Sequence, residues 1–185
     1  MPQRLKPKLK DPVFLSGQKI ILEPLSMRHF SSAYLLWLND PVVCAENRHA
    51  VFPYTEEQML DYLRKAPMLK NDLLFAIRLK KTSKHVGNIS LGGISWVNRS
   101  AEIAILIGDR GVWGKGIGFE ACRLLLDYAT RRLGLHRVRM GMTARNTAMV
   151  KIAEKLGMKK EGILKDALFK DGRYLDIVEY AVVGR

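Results

Sequence analysis

Trp113-Gly114-Lys115-Gly116-Ile117-Gly118 is the stretch on which the reading of the fold turns. It follows an apolar run at 101–107 and opens a helical segment that reaches about Leu133. A strand, a glycine-rich loop and a helix in that order make a place for an anion. Closely spaced glycines let backbone N–H groups converge without side chains in the way. The helix N-terminus adds unpaired N–H groups and the positive end of its dipole. Together these suit a pyrophosphate. The competing reading of the loop alone is a plain tight turn with glycines for steric reasons.

Two other phosphate loops are tested by the neighbouring residues. A Walker A loop needs Ser or Thr directly after its Gly-Lys, to hold magnesium. Here Gly116 follows Lys115, and Asp109 stands where the first glycine belongs. The stretch Gly116-Ile117-Gly118-Phe119-Glu120-Ala121 fits the loose dinucleotide form, which calls for an acid about 20 residues on to hold a ribose. Residues 138–143 contain no carboxylate, so the nicotinamide reading fails there.

Working outward, 19–24 reads as the first strand. Ser26 is placed to cap a helix over 27–38, which stops at the turn signal Asn39-Asp40-Pro41. Thr55 and Gln58 match a capping box opening a second helix to about Arg64. Segments 73–79, 85–96 and 101–107 read as strands joined by short polar turns, a spacing that favours an antiparallel meander. After the loop and its helix come a strand at 135–143, a helix at 147–156 and strands at 158–169 and 174–183. Asp171-Gly172 between the last two is a hairpin signal. The predicted order is β-α-α-β-β-β-α-β-α-β-β. Its strand–helix–strand segments demand a parallel crossover, so the fold class is α/β with a mixed sheet. Residues 1–17, with Arg4, Lys6, Lys8, Lys10 and three prolines, read as a basic arm, and 18–185 as one domain.

The bulk properties bound the function. The 185 residues suffice for a packed core, and 48% hydrophobic with 26% charged residues reads as soluble and globular. No apolar run approaches the roughly 18 residues of a membrane span, so no membrane insertion is expected. The basic N-terminus lacks the apolar core of a secretory signal. Two cysteines, Cys44 and Cys122, suggest neither a disulfide framework nor a zinc site, and point to a reducing cytoplasm with no metal. The net charge of +13 draws polyanions such as ribosomes or nucleic acid. A solvated basic face with no such partner explains it equally.

Residues 101–157 resemble the GNAT superfamily of acetyl-CoA-dependent N-acetyltransferases. Its pyrophosphate loop, Gln/Arg-x-x-Gly-x-Gly/Ala, is matched at 113–118, with Trp113 departing from Gln or Arg. The Trp-Gly-Lys-Gly form, with Ala101-Glu102-Ile103 and Glu154-Lys155-Leu156-Gly157-Met158, is similar to the branch around ribosomal-protein N-terminal acetyltransferases. The resemblance implies a single-layer, mostly antiparallel sheet with helices on both faces. It implies acetyl-CoA as co-substrate, with its pyrophosphate on Trp113, Gly114, Lys115, Gly116, Ile117 and Gly118. The pantetheine arm would pair with the backbone of Ile105, Leu106 and Ile107 where two strands part. Asn146 matches the family's asparagine on the cofactor arm, although a helix N-cap accounts for it too. Many relatives carry a tyrosine acid at the position of Ala153.

Glu102 is the expected catalytic base. It is a carboxylate among apolar strand neighbours, where burial would raise its pKa. A salt-bridged structural carboxylate is the alternative, with Glu161 and Asp166 as further candidates. His136 and His85, at strand edges, suggest structural roles, and His29 and His49 have no Ser or Cys partner at the spacing of a hydrolase triad. Trp37, Asn39 and Asp40 resemble a Trp-x-Asn-Asp stretch of sugar-nucleotide acetyltransferases, and equally a helix end with a turn. The expected acceptor is therefore an amine on a protein N-terminus or an amino sugar, with a polyamine disfavoured by like charge. Ribosome or nucleic-acid contact and a homodimer stay open. So does a non-catalytic ribosome- or RNA-binding protein on the same scaffold.

Overall fold

The computed structural model describes residues 13–47 and 49–184. Residues 1–12 of the expected arm therefore lie outside it. An eight-stranded sheet runs through the molecule in the order β1-β2-β3-β4-β5-β6-β8-β7. Its strands are β1 (Leu15–Ser16), β2 (Ile20–Pro24), β3 (Leu73–Leu79), β4 (His85–Ser95), β5 (Ser100–Ile107), β6 (Arg137–Thr143), β7 (Lys159–Lys170) and β8 (Arg173–Val183). Every neighbouring pair is antiparallel except β5 and β6. The parallel pair follows from the helical crossover between them, α3 (Ile117–Asp127), continued by a π turn at Tyr128–Arg132.

Helices cover both faces, as the resemblance implies. One face packs β-residues such as Leu22, Ile77, Leu91 and Ile103 against α3 and against Ala153 of α4 (Thr147–Lys155). The other packs Leu25 and Ala76 against α1 (Ser32–Asn39) and α2 (Glu56–Lys65). Strand alternation sorts the residues: Ala101 and Ile103 of β5 enter the α3 core, while Leu106 packs against the α1/α2 core.

Local signals mostly set the boundaries. Thr55 Oγ1 accepts from the Gln58 amide while the Gln58 side chain accepts from the Thr55 amide, so α2 opens with the expected capping box. Asp171 and Gly172 both take positive φ, 50° and 76°, giving the tight β7–β8 turn. Two expectations need correction. The helix predicted over 27–38 is broken: Met27–His29 is one 3₁₀ turn and Phe30 is extended. Ser31, not Ser26, caps the helix proper, its side chain accepting from the Tyr34 amide at 3.1 Å. The short β1 was missed. Leu15 pairs with Leu22 and Ser16 with Ile21, adding a strand at the head of the predicted order.

Candidate functional site

The glycine loop combines short-range bonds of its own with contacts from Trp37, Lys84 and Lys19. Gly108 follows β5, and a Cβ there would lie 1.9 Å from Trp37 Cδ2, so no larger residue fits. Asp109 accepts from the Gly111 amide at 2.9 Å and pairs with Lys84 at 2.6 Å. The Lys84 ammonium holds the Asp109 carboxyl below its ordinary value. Trp113, the departure from the motif, donates its indole N–H to the Ile107 carbonyl at 2.9 Å, tying the loop to the end of β5. Gly114 and Gly116 sit at φ 74° and 80°, a region open to glycine without strain. A Cβ at Gly114 would meet nothing within 4 Å, and one at Gly116 only Lys19 Nζ at 3.8 Å.

Gly116 is the N-cap of α3 and offers no side chain to cap it. Among the described residues, the first-turn amides of Ile117, Gly118 and Phe119 have no carbonyl partner. Lys19 Nζ donates to the Lys115 carbonyl at 2.9 Å, which brings a second ammonium to the loop. The result is an open cradle of amide donors with cations beside it, a fit for a pyrophosphate.

Beside the cradle the sheet opens. β5 and β6 pair only at Ser100↔Arg137, Ala101↔Val138 and Glu102↔Arg139. Past that point β5 continues on β4 as far as Ile107, and β6 continues on β8 as far as Thr143. The facing edges of β5 and β6 are thus unpaired where Ile105, Leu106 and Ile107 lie. An extended polar chain entering the gap would meet free backbone donors and acceptors. Asn146 stands at the far side as the N-cap of α4, its side chain accepting from the Met149 amide at 3.2 Å. Ala153, farther along α4, is wholly buried and offers no proton.

A cavity of about 310 Å³ opens on the α1/α2 face, floored by Ala104, Ile105 and Leu106 of the same parted strand. Its polar lining includes Tyr34, Tyr54, Tyr62, Asn47, His49 and Asn88. No Asp, Glu, Lys or Arg is among its described lining residues. Burial pushes the Tyr34 phenol up and that of Tyr62 up to about 12, so both stay protonated at neutral pH. Desolvation and the Lys170 ammonium lower the pKa of His49, which favours the neutral ring. Ser90 and Ala104 also border a second hollow of about 450 Å³, with Gly92, Gly93, Glu102, Arg137 and Arg139 on its walls.

Glu102 is placed differently from its expected setting. Its carboxylate lies 2.6 Å from Arg139 Nη2, and its side chain is 36% exposed. Arg139 also reaches Glu179 at 3.4 Å, and Arg137 is bonded to Glu161. The apolar enclosure is missing because the flanking Ala101 and Ile103 point to the other side of the sheet. Glu102 nonetheless shares a face with Ala104, which borders both hollows.

Asn39 Oδ1 accepts from the Tyr54 amide and Nδ2 donates to the Tyr54 carbonyl, both at 2.8 Å, closing the base of loop 40–55. Asp40 accepts from the amides of Val42 and Val43. The Asn39 and Asp40 side chains of the Trp-x-Asn-Asp stretch are thus engaged with the chain itself. Sequence reading missed Lys19, Asn47, Tyr54 and Asn88 as site residues, since nothing local marks them. Among the described residues, no group of three His, Cys, Asp or Glu is placed to hold a metal, and no helix is long and apolar enough to cross a membrane.

Comparison with known proteins supplies the frame for this geometry. The acetyltransferase (GNAT) domain family matches residues 19–159. The chain is 37% identical over 99 residues to YdaF of Bacillus subtilis (strain 168), provisionally named a ribosomal N-acetyltransferase, covering 54% of either chain. It is 33% identical over 92 residues to the spermidine N(1)-acetyltransferase of Vibrio cholerae serotype O1, covering 50% of this chain and 53% of that one. It thus spans about half the length of these curated relatives. The solved structure of the ribosomal L7/L12 alpha-N-protein acetyltransferase RimL with coenzyme A has the same fold, with a TM-score of 0.82 at 20% identity, over 94% of this chain and 97% of that one.

Proposed function

The chain belongs to the GNAT acetyltransferase family, and on that premise we propose that it transfers the acetyl group of acetyl-CoA to a primary amine, with a protein N-terminus as the preferred acceptor. The observation that carries the reading is the parting of β5 and β6 beside an open glycine cradle at the start of α3. In this proposal the amides of residues 114–118, with Lys19 and Lys115, hold the pyrophosphate. The backbone of Ile105, Leu106 and Ile107 takes the pantetheine arm, and Asn146 borders it. Acetyl-CoA supplies an activated acyl group: the amine nitrogen bonds to the carbonyl carbon, the C–S bond breaks and the amine loses a proton.

An amine attacks only as the free base, and the α-ammonium of a peptide N-terminus has a pKa of about 8, so part of it must still lose a proton at neutral pH. Glu102, on the acceptor face, is proposed as the proton acceptor, directly or through water. Arg139 holds the carboxylate and competes for it. Ala153 provides no acid for the leaving thiolate, but a thiol pKa near 8.5 makes that departure tolerable unaided.

The chemistry of the cavity favours the N-terminus among the acceptors. Spermidine is a polycation; among the described lining residues the first cavity offers it no carboxylate, and the second offers Glu102, which Arg139 already engages. A sugar nucleotide carries a diphosphate, and Arg137 and Arg139 are already engaged by Glu161, Glu102 and Glu179. A peptide N-terminus asks for a neutral pocket for its first residue and a trough for the rest of the peptide. The two hollows, which share Ser90 and Ala104 in their linings, match that demand. The provisional ribosomal assignment of YdaF and the net charge of +13 support an acceptor on the ribosome.

The test is thiol release from acetyl-CoA with N-terminal peptides, spermidine and a nucleotide-linked amino sugar in parallel. Release with peptides above the other two supports the proposal. Faster turnover of spermidine or the sugar overturns the choice of acceptor. No release with any amine, and no thermal shift at millimolar acetyl-CoA, overturns the activity itself.

A further inference from the structure

Lys170 closes β7, and it is 6% exposed. A buried ammonium is costly unless each of its three N–H groups finds an acceptor. Lys170 Nζ donates to the Cys44 carbonyl, to the Asn47 carbonyl at 2.8 Å and to the His49 carbonyl at 3.2 Å. All three acceptors are backbone groups of loop 40–55. The same loop supplies Asn47, His49 and Tyr54 to the acceptor cavity. Its base is closed by Asn39, and Glu46 accepts from Thr143 Oγ1 and from Arg145 Nε, the latter at 3.1 Å. Thr143 ends β6, so the loop is held from the strands on the far side of the gap.

We propose that Lys170 is a positioning residue for the acceptor. From the terminal hairpin it gathers the carbonyls at 44, 47 and 49, and so sets the wall of the cavity formed by Asn47 and His49. The inference rests on the reading of that cavity as the acceptor site. Lys170 touches neither the glycine cradle nor the parted edge of β5, so the acetyl-CoA half of the site does not depend on it. Its hold is also specific in geometry: the acceptors are three converging carbonyls, which a hydrophobic side chain of equal length cannot replace.

Three measurements on Lys170→Met in the full chain test this. The first is acetyl-CoA affinity, the second KM and kcat for whichever amine proves active, and the third amide hydrogen exchange over 42–50. We expect acceptor KM to rise about 10- to 100-fold, in line with the loss of hydrogen bonds to a charged donor. Acetyl-CoA affinity should stay within about twofold, and faster exchange should be confined to 42–50. Lys170→Arg, which keeps charge and donors, should recover most of the lost KM. If Lys170→Met does not fold, Lys170→Gln is read the same way. An unchanged acceptor KM overturns the proposal, as does an equal fall in acetyl-CoA affinity. If the unaltered protein acetylates no amine, the functional reading fails on its own. Exchange over 42–50 then still decides whether Lys170 holds the loop.

Discussion

Loop 108–118 and loop 40–55 stand on either side of the parted strands, and they are held in opposite ways. The first is shaped mostly by short-range ties, two left-handed glycines, an Asp109–Gly111 bond and Trp113 reaching back six positions to Ile107, to which Lys84 and Lys19 add longer ones. The second is shaped from far away. Lys170 lies 121 to 126 positions from the carbonyls it binds, and Thr143 lies 97 from Glu46. A site that binds one invariant co-substrate can be built locally and carried as a motif. A site that reads a variable acceptor draws on whichever strands the fold brings near. Damage to the first loop should therefore stay with acetyl-CoA, and damage to the second with the amine.

The largest expected effect lies where the two regions meet. Glu102→Gln should lower turnover by about 10²–10⁴-fold if Glu102 takes the proton, with acetyl-CoA affinity almost unchanged. A carboxylate that serves only its ion pair with Arg139 gives another result: a lower thermal midpoint with activity per folded molecule intact. Both quantities are measured on one preparation, and retained turnover moves the base to another residue or to water.

The next effect separates the regions by pH. His85 lies in an aromatic cluster with Tyr34 and Trp37 beneath the acceptor side, its Nε2 2.9 Å from the Gly87 carbonyl and 3.0 Å from Asn88 Oδ1. Burial is the main cause that lowers its pKa from 6.5 to about 4. The folded chain thus prefers the neutral ring, while the unfolded chain takes up a proton near pH 6.5. The stabilisation is complete above pH 6.5 and is lost as pH falls toward 4, by about 3 kcal/mol at the limit. A thermal midpoint that drops over this window, and drops less in His85→Gln, where His29 and His49 with their lowered pKa values remain, is the expected result. A flat profile in the unaltered protein would break the assignment.

Gly116→Val attacks the local loop. A β-branched residue at φ 80° costs about 1–2 kcal/mol and its side chain projects beside the cradle. Calorimetry should show acetyl-CoA affinity down by about tenfold or more, with amide exchange over 42–50 unaltered. Equal disturbance of both loops would erase the distinction drawn between them. Trp113→Phe is the mildest probe. It removes one hydrogen bond to Ile107, worth about 1 kcal/mol, and should weaken acetyl-CoA by about fivefold while leaving acceptor KM alone.

Legibility followed the same division. The capping box at Thr55 and Gln58 and the Asp171-Gly172 turn were readable because each is a bond or dihedral within four residues. The first helix was misread for a related reason. Ser26 and Ser31 are both good caps, and local preference does not choose between them. Packing chose Ser31, leaving Phe30 extended and Tyr34, Trp37 and Leu38 in the core of the α1/α2 face. Glu102 looked apolar in its surroundings because its neighbours in the chain are apolar. Its neighbours in space are Gly92 and Arg139, supplied by the two adjoining strands.

By itself the sequence determined the order of elements around the glycine loop, the crossover that makes β5 and β6 parallel, and the glycines that precede α3. All of these depend on periodicity, dihedral preference and short spacing, which are properties of contiguous residues. Only the tertiary structure decided that the strands part after Glu102, that Arg139 holds that residue, and that Asn47, His49 and Tyr54 wall a cavity under the grip of Lys170. Those contacts join residues scores of positions apart in the chain. They depend on how the sheet is ordered and how loops close over it, and leave no periodic trace in either partner.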